Sequence, residues 1–264
     1  MPNNQTDRVA PPSLFLALTE PVRALMELGS IPMAAPLLAS APRGDGHPVL
    51  VLPGFITTDR STSLLRRFLT RMGYDAHSWN LGRNLGPKAI GQEGEHLIAR
   101  LDEIHAKTGQ RISLVGWSLG GMMARQLSRR RPDLVRQVIT LGSPIVGDPR
   151  ATNAWRAYQR FTGHRLDDPG VDEQLRESEL PPPVPSTAIF SKEDGVVAWQ
   201  NCIEPEDAFT DNIRVYGSHC GLGVNPVVLY AVADRLAQDE GTWKPFDRTG
   251  LMRQFAYPSS GHSH

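Results

Sequence analysis

The tightest constraint on this chain lies at Gly116-Trp117-Ser118-Leu119-Gly120-Gly121. An apolar run from Ile112 to Val115 leads into it and reads as a strand. A run from Leu119 to about Arg130 leads out and reads as a helix. A serine in the frame Gly-x-Ser-x-Gly between a strand and a helix demands a very sharp turn. Glycine two positions to either side removes the Cβ that would collide with strand or helix. The helix begins at the serine, so its unbonded N–H groups face the turn and favour negative charge developing there. Ser118 is therefore a candidate nucleophile, set against the plainer reading of a glycine-rich turn.

The chain has 264 residues, 40% of them hydrophobic, which suits one large domain of mixed helix and strand. Its 28 acidic and 28 basic residues cancel, which gives no reason to expect nucleic acid or an anionic membrane as a bulk partner. No stretch approaches the ~20 apolar residues needed to span a bilayer. The N-terminus lacks a signal-peptide pattern, since its short apolar segment from Leu14 to Leu18 is soon interrupted by Glu20, Arg23 and Glu27. A cytoplasmic protein, or a mature secreted one, is expected. Cys202 and Cys220 are the only cysteines. Two in a chain of this size are usually free thiols, and their spacing forms no metal motif. Neither a metal nor an organic cofactor is expected.

Taken in order, residues 1–12 read as a polar lead. Residues 13–40 read as a pair of short helices packed on the body or near the site mouth, with Leu14, Leu18, Val22, Leu25, Met26 and Leu28 on a broad apolar stripe and Gly29 as a stop. A sharper reading makes this segment a transient anchor at a lipid interface. The continuous apolar run Val49 to Leu52 predicts a strand buried on both faces. A helix over 60–72, a strand over 74–79, a turn-rich loop and a helix over 90–107 follow. The strand Val138 to Leu141 ends in Gly142-Ser143-Pro144. The rhythm then lapses until residue 186, a gap too long for a plain loop. Helical stretches at 151–161 and 171–179, carrying Trp155, Tyr158 and Phe161, predict a small helical cap. Strands at 187–190 and 213–216 and a helix over 226–238 complete the series. Strands alternating with helices predict a mostly parallel, doubly wound α/β sheet. The expected organisation is a helical segment over 1–47, a core over 48–246 with the cap inserted at 144–186, and a tail over 247–264 whose last six residues are disordered.

A serine hydroxyl needs a base whose pKa lies near working pH, which means histidine. His262 and His264 lie in the tail, His96 and His105 in the long helix, His77 in a strand segment, His164 in the cap and His47 before the first strand. His219, in Gly217-Ser218-His219-Cys220-Gly221, lies just past the last strand, where open α/β sheets bind ligands. It is the favoured base. The imidazole needs a carboxylate to fix its tautomer. Asp194, in the loop after the penultimate strand with Gly195 making a turn natural, is favoured over Glu193 and Asp148. An oxyanion needs two N–H donors. Leu119, following the serine, supplies one. Phe55 in Pro53-Gly54-Phe55, after the first central strand, supplies the second, against the plainer reading of a strand-ending turn. Trp117 beside the serine, with Trp155, Tyr158 and Phe161, is a candidate for contacting substrate.

These motifs, in the order Leu52-Pro53-Gly54-Phe55, Gly116 to Gly121, Leu141 to Pro144, Ser191 to Val197 and Gly217-Ser218-His219, resemble the α/β-hydrolase superfamily over about residues 48–238. Within it the chain resembles bacterial triacylglycerol lipases and carboxylesterases. Pro-Gly-Phe stands where many lipases carry a His-Gly pair. The resemblance implies an α/β-hydrolase fold and hydrolysis of a small-molecule or lipid ester through an acyl-enzyme. An ester of medium or long acyl chain, or a water-insoluble one including a polyester, is the expected substrate. An acyltransferase or thioesterase would use the same residues, and a non-catalytic receptor is the reading from another class. The ending Ser218 to Pro226 resembles one bacterial group in which a cysteine after the acid's loop and one beside the histidine imply a disulfide. Cys202 and Cys220 hold those places.

Overall fold

The computed structural model describes residues 9–147, 151–153, 159–160 and 179–259. Most of the expected cap lies outside the described residues, and Trp155, Tyr158, Phe161, Asp148, His164, His262 and His264 lie outside them too.

Six strands form one sheet: β1 Pro48–Leu52, β2 Asp75–Ser78, β3 Ile112–Trp117, β4 Val135–Leu141, β5 Ser186–Ser191 and β6 Thr210–Val215. Their spatial order is β2-β1-β3-β4-β5-β6 and every pairing is parallel. Burial follows from the apolar runs. Every residue of β1, β4 and β5 is buried, whereas the edge strands β2 and β6 are only partly so. The pleat sends alternate residues to opposite faces. Val49, Val51, Val115 and Ile139 join one apolar cluster, with Leu65, Leu69 and Val228. Leu50, Leu52, Leu114 and Val138 join another, with Leu97, Leu101 and Leu127. Each fully buried aliphatic side chain stabilises the fold by about 1.5–3 kcal/mol over the exposed one.

The covering helices are α1 Leu14–Ser30, α2 Ala35–Ala39, α3 Ser63–Met72, α4 Pro87–Ile90, α5 Glu95–Thr108, α6 Leu119–Arg130, α7 Pro226–Leu236 and α8 Leu251–Ala256. None of them is long and apolar enough to cross a membrane. The single helix expected over 90–107 is split, because Gly91 and Gly94 adopt φ of 88° and 70° and break it. The C-terminal stretch read as a tail carries α8, flanked by Phe246 and Tyr257, both buried and in edge-to-face contact at 4.6 Å. The Tyr257 hydroxyl donates to the Val227 carbonyl, holding this stretch on α7.

The largest departure is α1. Its apolar stripe does not pack on the body: Leu14, Leu18, Val22, Leu25 and Met26 are 60–80% exposed. Glu20 is the residue it buries, at 3% exposure. Gly29 lies inside the helix and does not stop it. Sequence periodicity finds the two faces of a helix but not which faces inward. Here backbone N–H groups on the body take the polar face.

Candidate active site

The sheet order reverses direction between β1 and β3, and open α/β sheets place ligands beyond the C-terminal ends of the strands at such a switch point. Ser118 sits at that point with φ 52° and ψ −121°. It is one of three non-glycine residues with positive φ among the described residues, a strained conformation retained only where its surroundings enforce it. The surroundings are close. A Cβ on Gly116 would lie 2.4 Å from the Gly120 oxygen and from Gly121 Cα, and one on Gly120 would lie 2.5 Å from the Leu52 oxygen. The Ser118 N–H donates to the Leu141 carbonyl at 2.8 Å, fixing the turn to β4.

The loop after β1 lies against this turn: a Cβ on Gly54 would come within 3.5 Å of Ser118 Cβ. Asn84, fully buried, fastens the loop. Its side-chain N–H donates to the Pro53 carbonyl at 2.7 Å, its own carbonyl accepts from Ile56, and its N–H donates to Thr57. The sequence reading missed Asn84, whose only signal was its place among turn formers. Leu119 opens α6, where backbone N–H groups have no intrahelical acceptor. Phe55 lies in the fastened loop.

Asp194 and His219 meet. Asp194 Oδ2 lies 2.6 Å from His219 Nδ1, and the residues are 2% and 5% exposed. Asp194 Oδ1 accepts from Val196 and Val197 N–H at 2.8 and 2.7 Å, which aims the other oxygen at the imidazole. Burial disfavours the imidazolium, but the Asp194 carboxylate beside it, joined by that of Glu20, outweighs this and raises the His219 pKa above its ordinary 6.5. Gly142, at φ 55°, lies under the pair, where a Cβ would be 3.1 Å from both Asp194 Oδ2 and His219 Nδ1. The rival Glu193 turns away to accept from the Ser191 hydroxyl at 2.8 Å and face Arg214.

Trp117 was a candidate for contacting substrate. Its indole N–H donates to the His219 carbonyl at 3.1 Å, so it braces the histidine loop. The thiols of Cys202 and Cys220 are not bridged, contrary to what the resemblance implied. Cys202 is buried with Phe190 and Val197, while Cys220 is exposed. Among the described residues no group of three His, Cys, Asp or Glu side chains could hold a metal ion.

At the opposite edge of the sheet a histidine stands between a carboxylate and a serine. His47 bonds Asp45 through Nδ1, and its Nε2 lies 2.8 Å from the Ser113 hydroxyl. Ser113 is fully buried within β3, out of reach of any substrate, so this trio is a staple. His77, His96 and His105 bond Asp75, the Ala89 carbonyl and the Gln110 carbonyl on the surface.

Residues 48–168 match the family model described as the alpha/beta hydrolase fold. A triacylglycerol lipase of Pseudarthrobacter phenanthrenivorans is 28% identical over 108 residues, 38% of this chain and 34% of that protein. One of Burkholderia plantarii is 28% identical over 108 residues, 38% of this chain and 30% of that protein. The chain thus spans about a third of the length of these relatives. Among solved structures, the mature lipase BlEst2 of Bacillus licheniformis superposes with a TM-score of 0.56 at 18% identity, over 75% of this chain and 95% of that one. Lipase B of Aspergillus fumigatus gives 0.55 at 18% identity, over 76% of this chain and 55% of that one. At such identities the likeness is one of fold. The parallel six-stranded order, the Gly116–Gly120 turn and these superpositions show that the chain has the α/β-hydrolase fold.

Proposed function

We propose that the chain is a carboxylic ester hydrolase of the lipase/esterase kind, with Ser118 as nucleophile, His219 as base and Asp194 as its partner. The observation that carries this reading is the buried Asp194–His219 pair at the same sheet edge as the strained Ser118. Ser118 Oγ attacks the ester carbonyl carbon as His219 takes its proton, and Asp194 stabilises the imidazolium without itself being protonated. The Leu119 N–H and the Phe55 N–H hold the oxyanion. His219 then protonates the leaving alcohol. Water repeats the sequence on the acyl-enzyme, releasing the acid. The roles assigned to these five residues use side chains and backbone alone.

Two relatives bear the name triacylglycerol lipase, which supports a lipid ester of medium or long acyl chain, or another water-insoluble ester such as a polyester. The test is a series of aryl esters of increasing acyl length beside emulsified triglyceride, with Ser118→Ala as control. Rates that rise with chain length and persist on the emulsion support the lipid-ester reading. Rates peaking at acetate without emulsion activity make the protein an esterase of short esters. Turnover retained by Ser118→Ala overturns the mechanism.

A further inference from the structure

We propose that Glu20, on the N-terminal helix, is a positioning residue whose buried carboxylate ties the Asp194 loop to the His219 loop and holds the acid–base pair in register. This rests on the assignment of Ser118, His219 and Asp194 made above.

One carboxylate reaches both loops. Glu20 Oε1 accepts from the Gly195 N–H at 2.8 Å and the His219 N–H at 3.0 Å, and Oε2 accepts from the Cys220 N–H at 2.8 Å. The bonds therefore fall on the residue after the proposed acid, on the proposed base and on the residue after it. Arg23, one turn on, pairs with Oε1 at 2.8 Å and donates to the Glu193 carbonyl at 2.7 Å, so it grips the other side of Asp194. Glu27 follows a further turn on and accepts from the Ser218 N–H at 2.7 Å. Residues 20, 23 and 27 thus form a polar stripe of α1 laid along both loops.

The loops are cut to receive it. A Cβ on Gly195 would lie 2.5 Å from the Leu16 backbone, and one on Gly221 would lie 2.0 Å from Glu27 Oε2. These glycines serve the approach of the helix as well as the turns. A carboxylate is costly to bury unless its oxygens are satisfied, and Glu20 has three backbone donors and a guanidinium. Bonds to an ionised acceptor are roughly twice as strong as neutral ones. A cross-loop tie is what a Cys202–Cys220 bridge would have supplied; here a charge-assisted clamp brought from the other end of the chain supplies it.

The clamp also acts through charge. Around His219 stand Asp194 on its own side of the sheet edge, Glu20 with its partner Arg23 from α1, the neighbouring Cys220, and the Trp117 indole. Although residue 220 is exposed at the surface, desolvation of the Cys220 thiol and the Glu20 carboxylate beside it keep the thiol neutral, its pKa pushed up to about 12. Glu20 is therefore a second negative charge favouring the imidazolium, and it contributes to the raised His219 pKa.

The test compares Glu20→Gln, which keeps length and loses charge, with Glu20→Asp, which keeps charge and is too short to reach both loops. Turnover of a soluble aryl ester is measured per site titrated with a fluorophosphonate, across pH, with Tm in parallel. Glu20→Gln is expected to lower kcat on the order of tenfold with KM nearly unchanged, and to move the lower limb of the pH profile to lower pH. Glu20→Asp is expected to lower kcat while leaving that limb in place. Wild-type kcat per titrated site with an unmoved limb in both variants makes Glu20 a fold staple and overturns the proposal, whatever happens to Tm. If the Glu20 variants do not fold, Arg23→Gln carries the test, with reduced kcat per titrated site expected and unchanged kcat overturning it. Ser118→Ala separates the two readings. Should it retain turnover, the site assignment itself falls; should it be inactive while the Glu20 and Arg23 variants run at wild-type rate, only the clamp falls.

Discussion

Ser118 occupies a backbone conformation that few side chains adopt, and contacts on three sides keep it there: β4 through its N–H, the Gly116–Gly120 contact behind it, and Gly54 beside it. Replacing Ser118 by Ala is expected to lower kcat by about 10⁶, measured with a soluble aryl ester. Asp194→Asn leaves Oδ1 able to accept from Val196 and Val197 but presents an amide to Nδ1, so the imidazole takes the wrong tautomer. A fall in kcat of about 10⁴ with little change in Tm is expected. As the proposed base, His219 works only when neutral. Because its folded pKa lies above 6.5, activity should rise with pH on a limb centred above that value, read from kcat/KM against pH. These three candidates were legible in the sequence because each sits beside local punctuation at the end of an apolar run. Glu20 was not, since the backbone N–H groups it accepts from lie 175 to 200 residues away.

At the scale of elements, α1 separates periodicity from orientation. Its apolar stripe was visible, yet the stripe faces outward. Leu18→Ser should therefore change stability by no more than about 0.5 kcal/mol, where a buried leucine would cost about 2–5 kcal/mol on truncation. A loss in the larger range on chemical denaturation would place that face against the body. The elbow behaves oppositely. Gly116→Ala drives a Cβ into backbone that cannot give way, and a loss of about 3 kcal/mol or more is expected, seen as insoluble protein or a much lowered urea midpoint. The glycines around Ser118 were readable from the sequence by the turn they frame. Gly195 and Gly221, which admit α1, had no local signature for that role.

For the whole molecule, two histidines oppose each other in the linkage of stability to pH. His47 is buried, and burial lowers its pKa despite the Asp45 carboxylate. The unfolded chain then takes up a proton near pH 6.5 that the folded one resists, so stability falls as pH drops through that region. His219 has a raised pKa, so its contribution is fully present below pH 6.5 and is lost as pH rises through the folded value. His47→Gln should lower Tm at pH 7 and flatten its decline from pH 7 to 5, with activity per titrated site unchanged. A decline as steep as in the wild type would exclude His47 as its source.

By itself the sequence determined the strands, because runs such as Val49 to Leu52 and Val138 to Leu141 can only be buried. It also determined the turn at Ser118, because glycine spacing is a local steric requirement. The exposure of the serine near each Asp–His pair was decided by tertiary structure alone. Ser118 stands half-buried just past the end of β3, and Ser113 is sealed inside β3. The inward turn of the Glu20 face was likewise decided there, since a carboxylate is buried only where distant backbone N–H groups converge to receive it.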